Sequence, residues 1–287
     1  MHAQDTRAAR PIAFAPAFSL KFPRLSTMFY RNLAMQSHKL TQPAAYLRYH
    51  DIPGHGVPLI MLHGLGCASS FDYPRLLAEP GLARRRALLV DLLGHGFSDK
   101  PEDFSYAPGA QAEALGQWIE QLGLREFDLY GHSMGGSVAI ELATLLPDRI
   151  RRLVLAEPNL DSGGGTYSRA LASRSEADYV ARGHREIIRT FGADNPNWAG
   201  SMAVASPLAV HRAAKGLIAG SAVSWREQLR ALSMPRRIIF GEKSLPDPDL
   251  EWLPRHGIAA SIVADAGHSL AWDNPAGLAE AIAAALD

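Results

Sequence analysis

Cysteine is nearly absent: Cys67 is the only one in 287 residues. That excludes a disulfide within the chain and any metal centre built on several thiolates. Net charge is absent as well, with 29 basic and 29 acidic residues, so the overall balance favours neither nucleic acid nor an anionic surface. No apolar run reaches the length of a bilayer-spanning helix. There is no internal repeat and no low-complexity tract. Acids are scarce at one end: Asp5 is the only one before Asp51, against Arg7, Arg10, Lys21, Arg24, Arg31, Lys39 and Arg48. Pro11, Pro16 and Pro23 break the apolar stretch in that region, which argues against a secretory signal. Residues 1–42 are therefore expected to be a basic, loosely packed arm on a cytoplasmic protein. Export or organelle targeting through this Arg-rich segment is the alternative.

What is present suits one large α/β domain with an inserted subdomain: 47% hydrophobic and 20% charged residues. Short apolar runs without alternation mark strands buried on both faces. They are Val57–Leu62, Ala87–Val90, Phe127–Tyr130, Leu153–Ala156, Arg237–Phe240 and Ser261–Val263, preceded by a strand over Ala45–His50. Helical spacing follows at Tyr106–Leu122, after Phe127–Tyr130 as far as Leu146, and at Pro275–Leu286. This alternation predicts a mainly parallel sheet covered by helices, with core segments 43–158 and 226–287. Residues 159–225 carry no strand pattern. Helical stretches at Tyr167–Arg174, Glu176–Arg182, His184–Phe191 and Pro207–Ala219 predict a helical cap there.

Gly131-His132-Ser133-Met134-Gly135 fits G-x-S-x-G between a strand and a helix. That spacing displays a serine on a sharp turn, with an exposed Oγ at a helix N-terminus where negative charge is favoured. Three more punctuated strand ends accompany it: His63-Gly64-Leu65-Gly66, Asp91 to Ser98 with its Gly94-His95-Gly96, and Gly267-His268-Ser269. Taken together, in this order, residues 45–286 resemble the α/β-hydrolase superfamily, in the branch with a helical cap. The resemblance implies the α/β-hydrolase fold, with an eight-stranded, mostly parallel sheet and a lid over the site.

Ser133 is the expected nucleophile, and the resemblance makes His268 its base. His63 is expected to shape the oxyanion loop, His95 to be structural, and His132 to point away from the reacting face. The third member is less direct. Many relatives carry an aspartate after the seventh strand, in a Gly-x-x-Asp pattern. Here the segment reads Gly241-Glu242-Lys243-Ser244. A second arrangement, resembling haloalkane dehalogenases and some esterases, takes the acid from the end of strand six, where Glu157 stands. Glu157 is the expected acid, with Asp247 as the alternative and Asp249 or Asp161 behind it. The oxyanion donors are expected to be the backbone amides of Leu65 and Met134.

Dehalogenases and epoxide hydrolases of this fold need a carboxylate nucleophile, so Ser133 points to acyl chemistry. The expected activity is a serine esterase acting on a small-molecule acyl substrate, with no metal and no other cofactor. Two alternatives stay open: carbon–carbon bond hydrolysis of a diketone, and a non-catalytic receptor for a hydrophobic ligand, suggested by the unusual Ser244. Trp198, Met202, Leu208, Leu217, Ile218 and Trp225 are candidates to wall an apolar pocket. Cys67 is expected to be a packing thiol. No signal bears on oligomeric state.

Overall fold

The apolar runs become the middle of a single sheet. The computed structural model describes residues 34–287. Its strands are β1 (Gln36–Lys39), β2 (Tyr46–Ile52), β3 (His55–Leu62), β4 (Arg85–Asp91), β5 (Phe127–His132), β6 (Ile150–Ala156), β7 (Arg236–Gly241) and β8 (Ala259–Val263). They lie in the order β1-β2-β4-β3-β5-β6-β7-β8. The β1–β2 and β2–β4 pairs are antiparallel. From β4 across to β8 every pairing is parallel.

Parallel strands need crossovers, and the crossovers cover both faces. Successive residues of one strand therefore enter opposite cores. Ile60, Leu62, Leu88, Val90, Leu129, Leu153 and Leu155 face one core, which they share with Leu115 and Trp118 of α1 (Pro108–Gln121) and Val138 of α2 (Met134–Leu145). Leu59, Met61, Leu89, Tyr130, Val154 and Ile239 face the other, with Leu278 and Ile282 of the last helix. This double burial is why these strands lack alternation in sequence.

Between β6 and β7 the chain leaves the sheet as α3 (Thr166–Ala172), a short turn of helix over 176–183, α4 (His184–Gly192), α5 (Pro196–Val204) and α6 (Pro207–Ala219). It returns through α7 (Trp225–Ala231), and α8 (Asp249–Arg255) and α9 (Pro275–Leu286) complete the core. Two bonds strap the inserted helices to the sheet's carboxyl end. Trp198 Nε1 donates to the Leu65 carbonyl at 2.9 Å, and Asn195 Nδ2 donates to Ser269 Oγ at 3.2 Å.

The sheet begins earlier than its apolar pattern implies. Gln36–Lys39, which the sequence assigns to the basic arm of residues 1–42, is the edge strand paired to β2. Gln-Ser-His-Lys carries no hydrophobic side chain, and an edge strand is held by backbone pairing, so nothing in its composition marks it. Residues 1–33 of the expected arm lie outside the described residues. Among the described residues no helix is long and apolar enough to cross a membrane.

The β5–α2 junction is tight. A Cβ on Gly131 would meet the Gly135 carbonyl oxygen at 2.3 Å, and one on Gly135 would meet the His63 and Leu62 carbonyl oxygens at 2.5 and 2.6 Å. All three obstacles are backbone and cannot swing aside. Gly135→Ala is expected to lose about 1–3 kcal/mol of unfolding free energy in urea titration. Gly116→Ala, in α1 with nothing within 4 Å of the added carbon, is expected to gain roughly 0.5–1 kcal/mol.

Candidate active site

The end of β5 turns into α2 at Ser133, whose backbone is held at φ 52°, ψ −120°. Such a conformation is costly for a residue with a side chain. It is over-determined here: the Ser133 amide donates to the Ala156 carbonyl at 2.9 Å, extending the β5–β6 ladder. The next residue on β6 is Glu157, also at positive φ, 43°. Its amide donates to the Ile239 carbonyl at 3.0 Å, and its Oε1 accepts from the Gly241 amide at 2.8 Å. The ends of β5, β6 and β7 are thus stitched together, with the serine and the carboxyl side by side.

His268 arrives from the loop after β8. That loop is held by Lys243 N donating to the Ala266 carbonyl and Gly267 N donating to Asp273 Oδ2, both at 2.8 Å. His268 Nδ1 lies 2.6 Å from Glu157 Oε2, and Nε2 lies 3.0 Å from Ser133 Oγ. A carboxylate only accepts, so Nδ1 carries the proton and Nε2 presents its lone pair to the serine hydroxyl. Burial works to raise the Glu157 pKa, but the hydrogen bond and charge of His268 outweigh it. The Ser244 hydroxyl and Gly241 amide add to them, holding Glu157 well below the usual carboxylate range. Ser244, at the position where the resemblance expects an aspartate, lies with Glu157 in the cavity wall.

The loop after β3 closes the other side. An ideal Cβ on Gly64 would lie 3.3 Å from Ser133 Cβ, so the 64–66 segment runs alongside the serine. Its shape is set by His63, which is buried, donates from Nδ1 to the Gly64 carbonyl at 2.8 Å and accepts at Nε2 from the Leu92 amide at 3.0 Å. Burial depresses the His63 pKa to about 4, so it stays a neutral brace. Met134 is the first helical residue of α2, whose amide has no acceptor one turn back. His95 is likewise buried, its Nδ1 donating to the Leu93 carbonyl at 3.2 Å.

His132 differs from its sequence expectation. It lies in the wall of the cavity and does not point away from it. Its Nε2 donates to the His268 carbonyl at 2.8 Å, and the two rings lie 4.9 Å apart. Burial and then the His268 charge lower its pKa to about 3. Strand alternation sets His132 on the face of Tyr130, which also packs Ala266 and Leu270 of the segment after β8.

A cavity of about 400 Å³ opens over Ser133 and His268. Of the expected apolar wall, Trp198 and Leu217 line it, joined by Tyr167, which sequence reasoning did not single out. Met202 and Trp225 are instead fully packed into the hydrophobic core, and Leu208 and Ile218 are not in the lining. Cys67 lies in the wall, where burial and then the Asp72 charge hold it as a thiol. Of the alternative acids, Asp247 borders the cavity but accepts from the Asp249 amide at 2.8 Å, and Asp161 and Asp249 both pair with Arg226. None of the three contacts His268.

A sequence profile described as the alpha/beta hydrolase family matches residues 59–281. The chain belongs to this family. The chain is 38% identical over 107 residues to 2-hydroxymuconate semialdehyde hydrolase of Pseudomonas sp. (strain CF600), a match covering 37% of this chain and 38% of that protein. The chain therefore spans well under half the length of the first curated relatives it matches. It is 29% identical over 265 residues to an esterase of Mycobacterium tuberculosis, covering 82% of this chain and 84% of that protein. The solved thermophilic esterase from Thermogutta terrifontis matches at TM-score 0.72 and 24% identity, over 88% of this chain and 98% of that one, a likeness of fold.

The Glu157 environment fixes a sign for the pH dependence of the protein's stability. A carboxyl held below its usual 4.5 when folded binds fewer protons than in the unfolded chain. Its stabilisation is full above that usual value and drains away as the pH falls toward the folded one. Urea denaturation from about pH 6 to about pH 3.5 is expected to show wild type losing stability faster than Glu157→Gln. A gap that stays constant over this range would contradict the assignment.

Proposed function

We propose that the protein is a serine hydrolase that cleaves a small carboxylic ester through an acyl-enzyme, with Ser133, His268 and Glu157 as its triad. The observation that carries this reading is the unbroken chain of contacts, 3.0 Å from Ser133 Oγ to His268 Nε2 and 2.6 Å from His268 Nδ1 to Glu157. Ser133 Oγ attacks the ester carbonyl while its proton passes to Nε2. Glu157 keeps the ring in the tautomer that can accept that proton and stabilises the imidazolium that results. The negative oxygen of the tetrahedral intermediate is held by the Met134 and Leu65 amides, each worth on the order of 3 kcal/mol. His268 then gives its proton to the departing alcohol. A water activated by the same ring releases the acid and restores Ser133.

Two observations favour an ester over the alternatives. Among the described residues no Lys or Arg borders the cavity, so none of them matches a substrate carboxylate of the kind named in 2-hydroxymuconate semialdehyde. The Ser244 that suggested a binding-only protein does not interrupt the chain from Ser133 through His268 to Glu157. Carbon–carbon hydrolysis of a diketone remains the second reading, supported by the 38% identity to that relative over 107 residues.

A fluorophosphonate probe is expected to label Ser133 and to fail on His268→Ala. On a panel of short acyl esters, amides and diketones, esters are expected to be the best substrates, with Ser133→Ala inactive on all. Turnover of vinylogous diketones alone would transfer the assignment to the second reading. Glu157→Gln is expected to slow acylation by roughly 10³–10⁴ and Asp247→Asn to change it little, in stopped-flow burst kinetics. The reverse ranking would remove Glu157 from the triad.

A further inference from the structure

One carboxyl in the cavity wall has no part in the proposed chemistry. Asp72 ends the single helical turn Ser69–Asp72, which follows directly from the loop carrying Leu65. It is 7% exposed and borders the same cavity as Ser133 and His268. Its Oδ1 accepts from Trp272 Nε1 at 3.0 Å, and its other near group is the Cys67 thiol, which burial keeps protonated. Both are neutral. Among the described residues Asp72 makes no ion pair, and none of those lining the cavity is Lys or Arg.

The neutral contacts explain an acceptor at position 72 but not an acid. An asparagine oxygen would accept from Trp272 equally well and would avoid burying a charge without a counter-charge. Burial raises the Asp72 pKa to about 6, against the pull of its two donors. Above that pH a carboxylate faces the substrate space uncompensated. The other two carboxyls of the wall are engaged: Glu157 by His268, and Asp247 by the Asp249 amide.

We infer that Asp72 is a specificity residue of this cavity, and that it selects esters that carry a cationic group. Resting on the serine-hydrolase reading, this assigns the substrate class of the same site. A cation supplies the missing counter-charge inside an enclosed wall, where screening by water is weak. A substrate carboxylate would meet like charge with no basic side chain to relieve it.

Three nitrophenyl esters of similar size test this: trimethylammonio-butanoate, its neutral isostere with carbon in place of nitrogen, and hemiglutarate. In wild type, kcat/KM is expected to be about 10-fold higher for the cation than for the isostere, and lowest for the anion. Asp72→Asn keeps an acceptor for Trp272 and is expected to bring the cation-to-neutral ratio near unity, leaving the neutral ester within about threefold. Trp272→Phe removes the donor but not the charge, and is expected to keep the preference. Calorimetric binding of the same esters to Ser133→Ala reads the preference without turnover. Equal affinities, an equal effect of Asp72→Asn on all three esters, or loss of the preference in Asp247→Asn instead would each overturn the inference. Absence of both turnover and fluorophosphonate labelling would defeat the serine-hydrolase reading alone, and the binding ratio would still decide the role of Asp72.

Discussion

Everything at this site depends on a backbone that is made to turn where it resists turning. Ser133 sits at φ 52° between a strand and a helix that nearly touch. A residue with a side chain in that region costs about 1–3 kcal/mol. The cost is met by the β5–β6 ladder, which continues into the Ser133 amide, and by bare glycines on either side of the turn. The result is a hydroxyl that stands clear of the sheet at the first turn of α2.

The same stitching explains how strand six can supply the acid. Parallel register aligns His132 with Ala156 and Ala156 with Ile239. The residue after Ala156 therefore lies between the elbow and the end of β7, within reach of an imidazole coming from beyond β8. Glu157 also adopts positive φ, which curls its carboxyl back to the Gly241 amide. A longer side chain from the nearer strand thus covers the ground that a shorter one from β7 covers in many relatives. Ser244 is left bordering the cavity with it.

The helices between β6 and β7 are tied to reacting parts of the core and not only to its surface. Trp198 bonds the carbonyl of Leu65, in the loop proposed to hold the oxyanion, and Asn195 bonds the residue after His268. Movement of α5 would be felt at both places. His132 works from below, where its ring packs against His268 and its Nε2 holds the His268 carbonyl. The imidazole of His268 is thereby oriented from its backbone as well as through Glu157.

Sequence by itself determined the features that depend on local rules. Doubly buried strands read as apolar runs, and the glycines around Ser133 mark a turn no other residue fits. A resemblance pointed to the end of strand six, and there Glu157 Oε2 lies 2.6 Å from His268 Nδ1. Long-range placement decided the rest. Gln36–Lys39 joins the sheet through backbone bonds that leave no trace in composition. Trp198 and Leu217 reach the cavity while Met202 and Trp225 are packed into the core, although all four read alike along a helix. Asp72 and Trp272, 200 residues apart, meet only because β3 and the chain after β8 finish at the same end of the sheet. Their pairing comes from tertiary packing, which brings distant segments together at separations no sequence pattern encodes.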